Sequence, residues 1–156
     1  MIKLLVILII MYMFIRKSYT IIINSIEKYN NKSNTKIHIF HIQIVDNTIS
    51  RKQGLMNVKY LKDKHGMLFD FKKNQKIILW MKNTIIPLDA IFLDKNGYIV
   101  YIIKNMKPNS LKNHKSKKKS RYVLEVNAGT VDKYKININD KIQTILLKKN
   151  ITKYRN

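Results

Sequence analysis

The sequence predicts a mainly β fold, α+β at most: a single compact domain arranged as a partly closed β-barrel or a sandwich, with one or two short helices. Three observations predict it. Short runs of β-branched and aromatic residues recur along the chain, turn signals such as Asn96-Gly97 and Ala128-Gly129 separate them, and helix-capping patterns are few. At 156 residues the chain accommodates one domain of ordinary size, with a segment to spare at each end.

The N-terminal segment comes first. Lys3 precedes an apolar run, Leu4 to Ile15 (LLVILIIMYMFI), which Arg16 and Lys17 close. A charged start and a run of this length fit a secretory signal, although no small-x-small cleavage site follows. An uncleaved anchor requires the apolar stretch to continue through Ile26, because a relaxed spanning helix needs about 20 residues. Residues 1–26 are therefore expected to be a signal peptide or membrane anchor, which places the folded domain outside the cytoplasm, in the periplasm or cell envelope. The polar stretch from Glu27 to Lys36 (EKYNNKSNTK) reads as a linker to a globular domain over 37–147, and 148–156 as a basic tail.

Within the domain, Lys36 to Val45 (KIHIFHIQIV) predicts a strand. Asp46, Asn47 and Thr48 offer helix-capping oxygens, and Ser50 with Gln53 matches capping-box spacing, which together predict a short helix over 49–57, in which Gly54 signals close backbone packing or an early end. Gly66 to Phe71 and Lys76 to Lys82 predict two further strands. Pro87, which lacks an amide donor, belongs at an edge, a bulge or the entry of the strand carrying Ala90 to Leu93. Asn96-Gly97 predicts a type I′ hairpin turn leading into Tyr98 to Ile103. Lys104 to Arg121 holds many Lys and no acid, and is expected as a solvated loop. Tyr122 to Val126 is a strand, Thr130 to Lys135 a single helical turn, and Lys141 to Leu147 the last strand.

Composition narrows the function classes. The chain has no Cys, which excludes disulfides, thiolate metal sites and a Cys nucleophile. Its 31 Lys and Arg against 9 Asp and Glu give a net charge of +22. Nearly all of that charge is Lys, in a chain crowded with Ile and Asn as A/T-rich codons would produce. Arg, the better reader of bases and phosphates, occurs at 16, 51, 121 and 155, so no specific nucleic-acid partner is expected. The four His lack metal-ligand spacing, and Met56, Met67 and Met81 sit among apolar neighbours as core residues do. No metal or cofactor is expected. No P-loop, dinucleotide-binding glycine pattern, HExxH or GxSxG element occurs.

The informative residues are charges that interrupt apolar runs: Asp70, Asp89 and Glu125, with Arg51 and Lys82 as their expected partners. Alongside them, Arg51-x-x-Gly54-Leu55-Met56, Gly66-Met67-Leu68-Phe69, Trp80-Met81-Lys82-Asn83-Thr84 with Ile86-Pro87-Leu88-Asp89 and Phe92, and Val123-Leu124-Glu125 with Ala128-Gly129 resemble the bacterial and archaeal family called domain of unknown function 192. The resemblance covers roughly residues 37 to 147. It implies a compact, largely β domain, frequently preceded by an export signal, with no established activity. Two departures stand out: Asn57 replaces a basic residue after the Gly-Leu-Met, and Asn139-Asp140 replaces a Gly-Asp before the last strand.

The expected site is built around the loop from Trp80 to Asp89, with Arg51 and Glu125 brought in from neighbouring elements. Trp80 would supply an apolar surface, Arg51 and Lys82 anion contacts, Asn83 and Thr84 neutral hydrogen bonds. Such a site suits a small polar ligand or a peptide end. Two other classes compete: an enzyme with Asp89 or Glu125 as general base, and a structural envelope protein whose charges are all paired and closed to solvent.

Overall fold

The computed structural model describes residues 18–29 and 32–145. Nine strands and two short helices follow in order: β1 Ser18–Tyr29, β2 Lys32–Val45, α1 Thr48–Gln53, β3 His65–Gln75, β4 Ile78–Leu79, β5 Leu88–Leu93, β6 Ile99–Met106, β7 His114–Lys115, β8 Ser120–Asn127, α2 Thr130–Lys133 and β9 Lys141–Ile145. Seven strands form one sheet in the order β6-β5-β8-β3-β2-β1-β9, and β4 pairs separately with β7. Neighbours in the large sheet are antiparallel except β2 and β3, which run parallel across the crossover that holds α1. The mainly β expectation holds, but the sheet does not close into a barrel. Its two ends touch at the Tyr98–Lys141 bridge, where Ile142 donates to Gly97 O and Ile99 donates to Asp140 O, both at 2.9 Å.

Strands β5, β8 and β3 lie in the middle of the sheet and are covered on both faces, so side chains of alternate parity enter two separate cores. Leu68, Ile91, Leu93, Leu124 and Val126 join Ile23, Phe40 and Ile142 in one. Met67, Phe69, Ala90, Phe92 and Val123 join Leu55, Leu79 and Met81 in the other. Every residue of β5 is buried as a result. Met67 and Met81 are core residues, as their neighbours predict.

Several elements differ from the sequence expectation. Residues 27–29 and 32–36, read as linker from their polar composition, extend β1 and β2, which pair in register from Ser18↔Gln43 to Tyr29↔Lys32. Hairpin pairing overrides local polarity here. Residues 18–26, assigned to the signal or anchor, are strand as well, and Ile23 is completely buried. The rest of the expected signal or anchor, including the apolar run 4–15, lies outside the described residues, as does the tail from 148. No helix among the described residues is long and apolar enough to cross a membrane.

The capping box forms three residues upstream of its expected position: Ser50 N donates to Asn47 Oδ1 at 2.9 Å, and Asn47 N to Ser50 Oγ at 3.4 Å. Helix α1 ends early at Gly54, whose φ of +47° and ψ of −133° suit glycine alone. The Asn96-Gly97 turn is not type I′, since Gly97 (φ +86°) takes the left-handed conformation and Asn96 does not. Asp94 explains the difference: its Oδ1 accepts from the amides of Asn96 and Tyr98 at 2.8 and 2.9 Å, fixing a wider turn. The 76–82 run pairs as a strand at Ile78–Leu79 alone, because Ile77, Leu79 and Met81 turn down onto the second core while Ile78 and Trp80 face out. The Lys-rich 104–121 segment is not wholly a loop. Strand β6 reaches Met106, β7 lies within it, and Met106, Ser116 and Ser120 are buried while its lysines stay exposed.

The replacement of a Gly-Asp by Asn139-Asp140 is accommodated as Asn permits: Asn139 sits at φ +75°, and Asp140 Oδ2 accepts from Asn137 N at 2.7 Å. A prediction follows from the place of β1 in the core. Ile23→Ala should cost about 2–5 kcal/mol, the range for emptying a buried aliphatic site. Urea unfolding checks it, and a loss near zero would remove β1 from the folded unit.

Candidate functional site

On the second face of the sheet a cleft of about 260 Å3 opens between α1 and the segment 78–84. Its floor comes from β3 (Phe69, Phe71) and β8 (Glu125), one wall from Arg51 through Met56, the other from Ile78, Leu79, Trp80 and Thr84. Two glycines permit the geometry. A Cβ on Gly54 would meet the Phe69 ring at 3.2 Å, and one on Gly66 would stand 2.6 Å from the Glu125 carbonyl oxygen, so β3 can approach the β8 backbone closely.

Glu125 is the unusual group. It pairs with Met67 on one side and Ala90 on the other, both residues of the second core, so its side chain enters an apolar layer. It is 6 % exposed, and among the described residues no donor or cation reaches its carboxyl. Burial alone pushes it up to about 8, so the group is neutral at pH 7.

Arg51 sits in the last turn of α1 and reaches back over the floor. One guanidinium nitrogen donates to the carbonyls of Asp46 (2.8 Å) and Asp70 (2.9 Å), the other to Thr48 Oγ1 (3.4 Å), and the plane lies 5.3 Å from the Phe71 ring centroid. All its partners are neutral. Among the described residues no carboxylate pairs with it, so its charge faces the cleft uncompensated, with Lys52 beside it.

Of the residues expected at the site, Arg51, Trp80, Thr84 and Glu125 line this cleft. Trp80 is 45 % exposed at its rim. Lys82 lies outside, its ammonium 5.7 Å from the Trp80 ring centroid. Asn83 contributes backbone: at φ +55° its carbonyl accepts from Asn57 N at 2.8 Å, tying the two walls together. Asn57, the departure from the family pattern, thus serves as a turn residue (φ +61°).

Asp89 does not join the site. Strand alternation sends it to the opposite face from Ala90 and Glu125, fully buried, where Oδ1 accepts from Asn105 N (2.9 Å) and Oδ2 from Val131 N (3.0 Å). It caps α2, whose N-terminal residue Gly129 has no side chain to do so. The expected pairing of Asp70 with Arg51 or Lys82 also fails. Burial would raise the Asp70 carboxyl, but Arg121 (3.2 and 3.3 Å), the Lys72 amide (2.8 Å) and the Lys72 ammonium (3.1 Å) together hold it below the usual range. Arg121 was hidden at the end of a lysine-rich stretch. The Gly54-Leu55-Met56 wall was legible in principle, because residues three to five positions beyond Arg51 share its side of the chain as α1 ends.

The features define a class: a small mainly β domain with an open cleft that has a buried neutral carboxyl at its floor and, at its wall, a cation that no carboxylate among the described residues pairs with. The family model for domain of unknown function 192, described as an uncharacterized ACR, matches residues 29–144, and the chain belongs to that family. No curated protein matches it significantly. Among solved structures, a protein from Sinorhizobium meliloti 1021, named in its description as a proposed transcription regulator, is 30% identical over 83% of this chain and 95% of its own, with a TM-score of 0.76. A protein of unknown function from Novosphingobium aromaticivorans DSM 12444 is 25% identical over 80% of this chain and 83% of its own, with a TM-score of 0.70.

The Glu125 carboxyl makes stability depend on pH. Between 4.5, its ordinary value, and about 8 the folded chain holds one proton more than the unfolded chain. This contribution is therefore complete below 4.5 and is lost as pH rises through 8. Glu125→Gln should match the unmodified chain at pH 4.5 and exceed it at pH 8.5 by on the order of 5 kcal/mol, from about 1.4 kcal/mol per unit. Urea unfolding across that range checks the sign. By contrast, Asp89→Ala should destabilise by about 1–3 kcal/mol for each of the two amides it orphans, which urea unfolding checks.

Proposed function

We propose that this protein is a small-ligand-binding or accessory domain, and that the cleft between α1 and the 78–84 segment is where it binds. One observation carries the reading. A carboxyl only 6 % exposed, with no partner among the described residues, opens onto a cleft, although taking such a group out of bulk water costs stability. A ligand supplies the missing partner. The neighbouring Arg51, satisfied by neutral groups alone, supports the same reading, because a cation in that state attracts an anion. Trp80 and the Phe71 ring offer apolar surface between the two. A purely structural envelope protein would have these charges paired and closed.

A second reading, an enzyme, draws on the same raised Glu125 carboxyl, since a general acid or base works best near the operating pH. Asp89 has no part in it, with both oxygens engaged on the other face. Location belongs to this proposal as well. The apolar run 4–15, bounded by Lys3 and by Arg16 and Lys17, supports export or tethering in the cell envelope, with the membrane contacted through that segment. Since β1 begins at Ser18, a tethered domain would stand directly at the bilayer surface. The Lys-rich rim of 112–119 supports no more than salt-sensitive, sequence-independent attraction to polyanions.

Trp80 is the one tryptophan of the chain and reports on the cleft directly. Its fluorescence should change saturably with at least one member of a library of small carboxylates, amines and neutral amides, and with circular dichroism unchanged Glu125→Leu should abolish the response and Arg51→Gln should weaken it. If no compound at millimolar concentration perturbs Trp80 or the amide resonances of 51–56 and 125, the cleft is not a binding site.

A further inference from the structure

We propose that the cleft recognises a carboxylate adjacent to a secondary amide and an apolar side chain, the chemistry shared by the C-terminal residue of a peptide and an N-acylated amino acid. The inference rests on the binding reading above and adds to it the class of ligand.

The floor selects the amide. A neutral carboxyl carries an O–H donor, and the carbonyl oxygen of a secondary amide is a matching acceptor. Because a trans amide turns its N–H to the opposite edge, Glu125 meets the carbonyl edge, its O–H donating to the amide oxygen. An ammonium group would instead require Glu125 to ionise. The groups packed around it oppose cations: Met67, Phe69 and Phe71 from β3 and Ala90 from β5 are apolar, Thr84 and Trp80 are uncharged, and the charged residues that line the cleft are Arg51 and Lys52, both positive. No acid other than Glu125 lines it.

The wall selects the anion. Arg51 is held in place by three neutral oxygens and lies over the Phe71 ring, so its charge is fixed in position, and no carboxylate among the described residues pairs with it. A guanidinium so held is preorganised for a carboxylate. The remaining surface, Leu55, Met56, Phe69 and Trp80, suits an aliphatic or aromatic side chain. At about 260 Å3 the cleft lies just below the usual size of small-molecule pockets, about 300–1,000 Å3, and so suits a single residue with its acyl group.

The test uses the full chain and four probes: N-acetyl-leucine, N-acetyl-leucinamide, 4-methylpentanoate and leucinamide. They carry, in turn, anion with amide, amide without anion, anion without amide, and a cation. N-acetyl-leucine should bind about tenfold or more tighter than each of the others, the worth of one charge-assisted hydrogen bond or of the hydrogen bond from Glu125 to the amide. Its affinity should fall about tenfold between pH 7 and pH 9 as Glu125 loses its proton. Glu125→Gln, which keeps a donor beside an acceptor, should retain binding and lose that pH dependence, and Arg51→Gln should erase the preference over N-acetyl-leucinamide. Glycylglycyl-leucine compared with N-acetyl-leucine separates the two sources: tighter binding of the peptide identifies a chain end, equal binding an acylated amino acid. Tightest binding by leucinamide, or equal binding by 4-methylpentanoate, would overturn the ligand class while leaving the cleft a binding site. Failure of all four probes would overturn the class as well, and the Trp80 screen then decides separately whether the cleft binds anything. The probe comparison needs no variant, so it stands even if a substitution prevents folding.

Discussion

The structure depends on strands β5, β8 and β3 being covered on both faces. In a sheet with one wet face, every second residue is free to be polar at no cost. Here neither parity is free, so each charged residue along these strands has to find a partner inside the protein, a route to solvent, or a ligand. Gly66 makes the arrangement possible at its tightest point, where β3 passes so near the Glu125 carbonyl that no side chain fits.

Three carboxyl groups interrupt the apolar strands, and each meets this constraint differently. Asp70, near the end of the paired part of β3, is solvated enough to attract Arg121 and Lys72 and stays ionised. Asp89, fully buried, is satisfied by two backbone amides and is spent on holding α2 and the end of β6 in place. Glu125 has neither solution. It keeps its proton and faces the cleft. The contrast is what distinguishes a functional candidate from two structural groups of the same chemistry, and one position of register on β5 separates the two outcomes: Ala90 stands opposite Glu125 where Asp89 stands opposite Val126.

The cleft walls are segments that the sheet does not use. Helix α1 ends where Gly54 leaves helical geometry, so the chain turns across the floor instead of continuing away from it. The 77–81 segment contributes alternate residues to the second core and presents Trp80 at the rim. Asn83 and Asn57, both at positive φ, join the walls through one backbone hydrogen bond. Rigid strands below and two short tied segments above describe a cleft whose shape is set before any ligand arrives.

By itself the sequence determined the strand-rich class, the turn at Ala128-Gly129, the entry of β5 after Pro87 and the family blocks, because local alternation and turn chemistry carry that information. It also singled out Arg51, Trp80, Thr84 and Glu125 as residues to watch, since a charge or a large ring beside an apolar run is conspicuous in one dimension. Which of the carboxylates is orphaned was decided by tertiary structure, because it depends on which face each side chain enters and which amides meet it there. Asp89 and Glu125 look alike in sequence. The extension of β1 and β2 through the polar stretch around 27–36 was likewise invisible, because these residues pair with each other at the end of a hairpin, a register that composition does not encode. Arg121 shows the same limit from the other side: among seven lysines in its stretch, nothing but its place in the folded sheet, next to the Tyr122 that stands opposite Asp70, marks it as a partner.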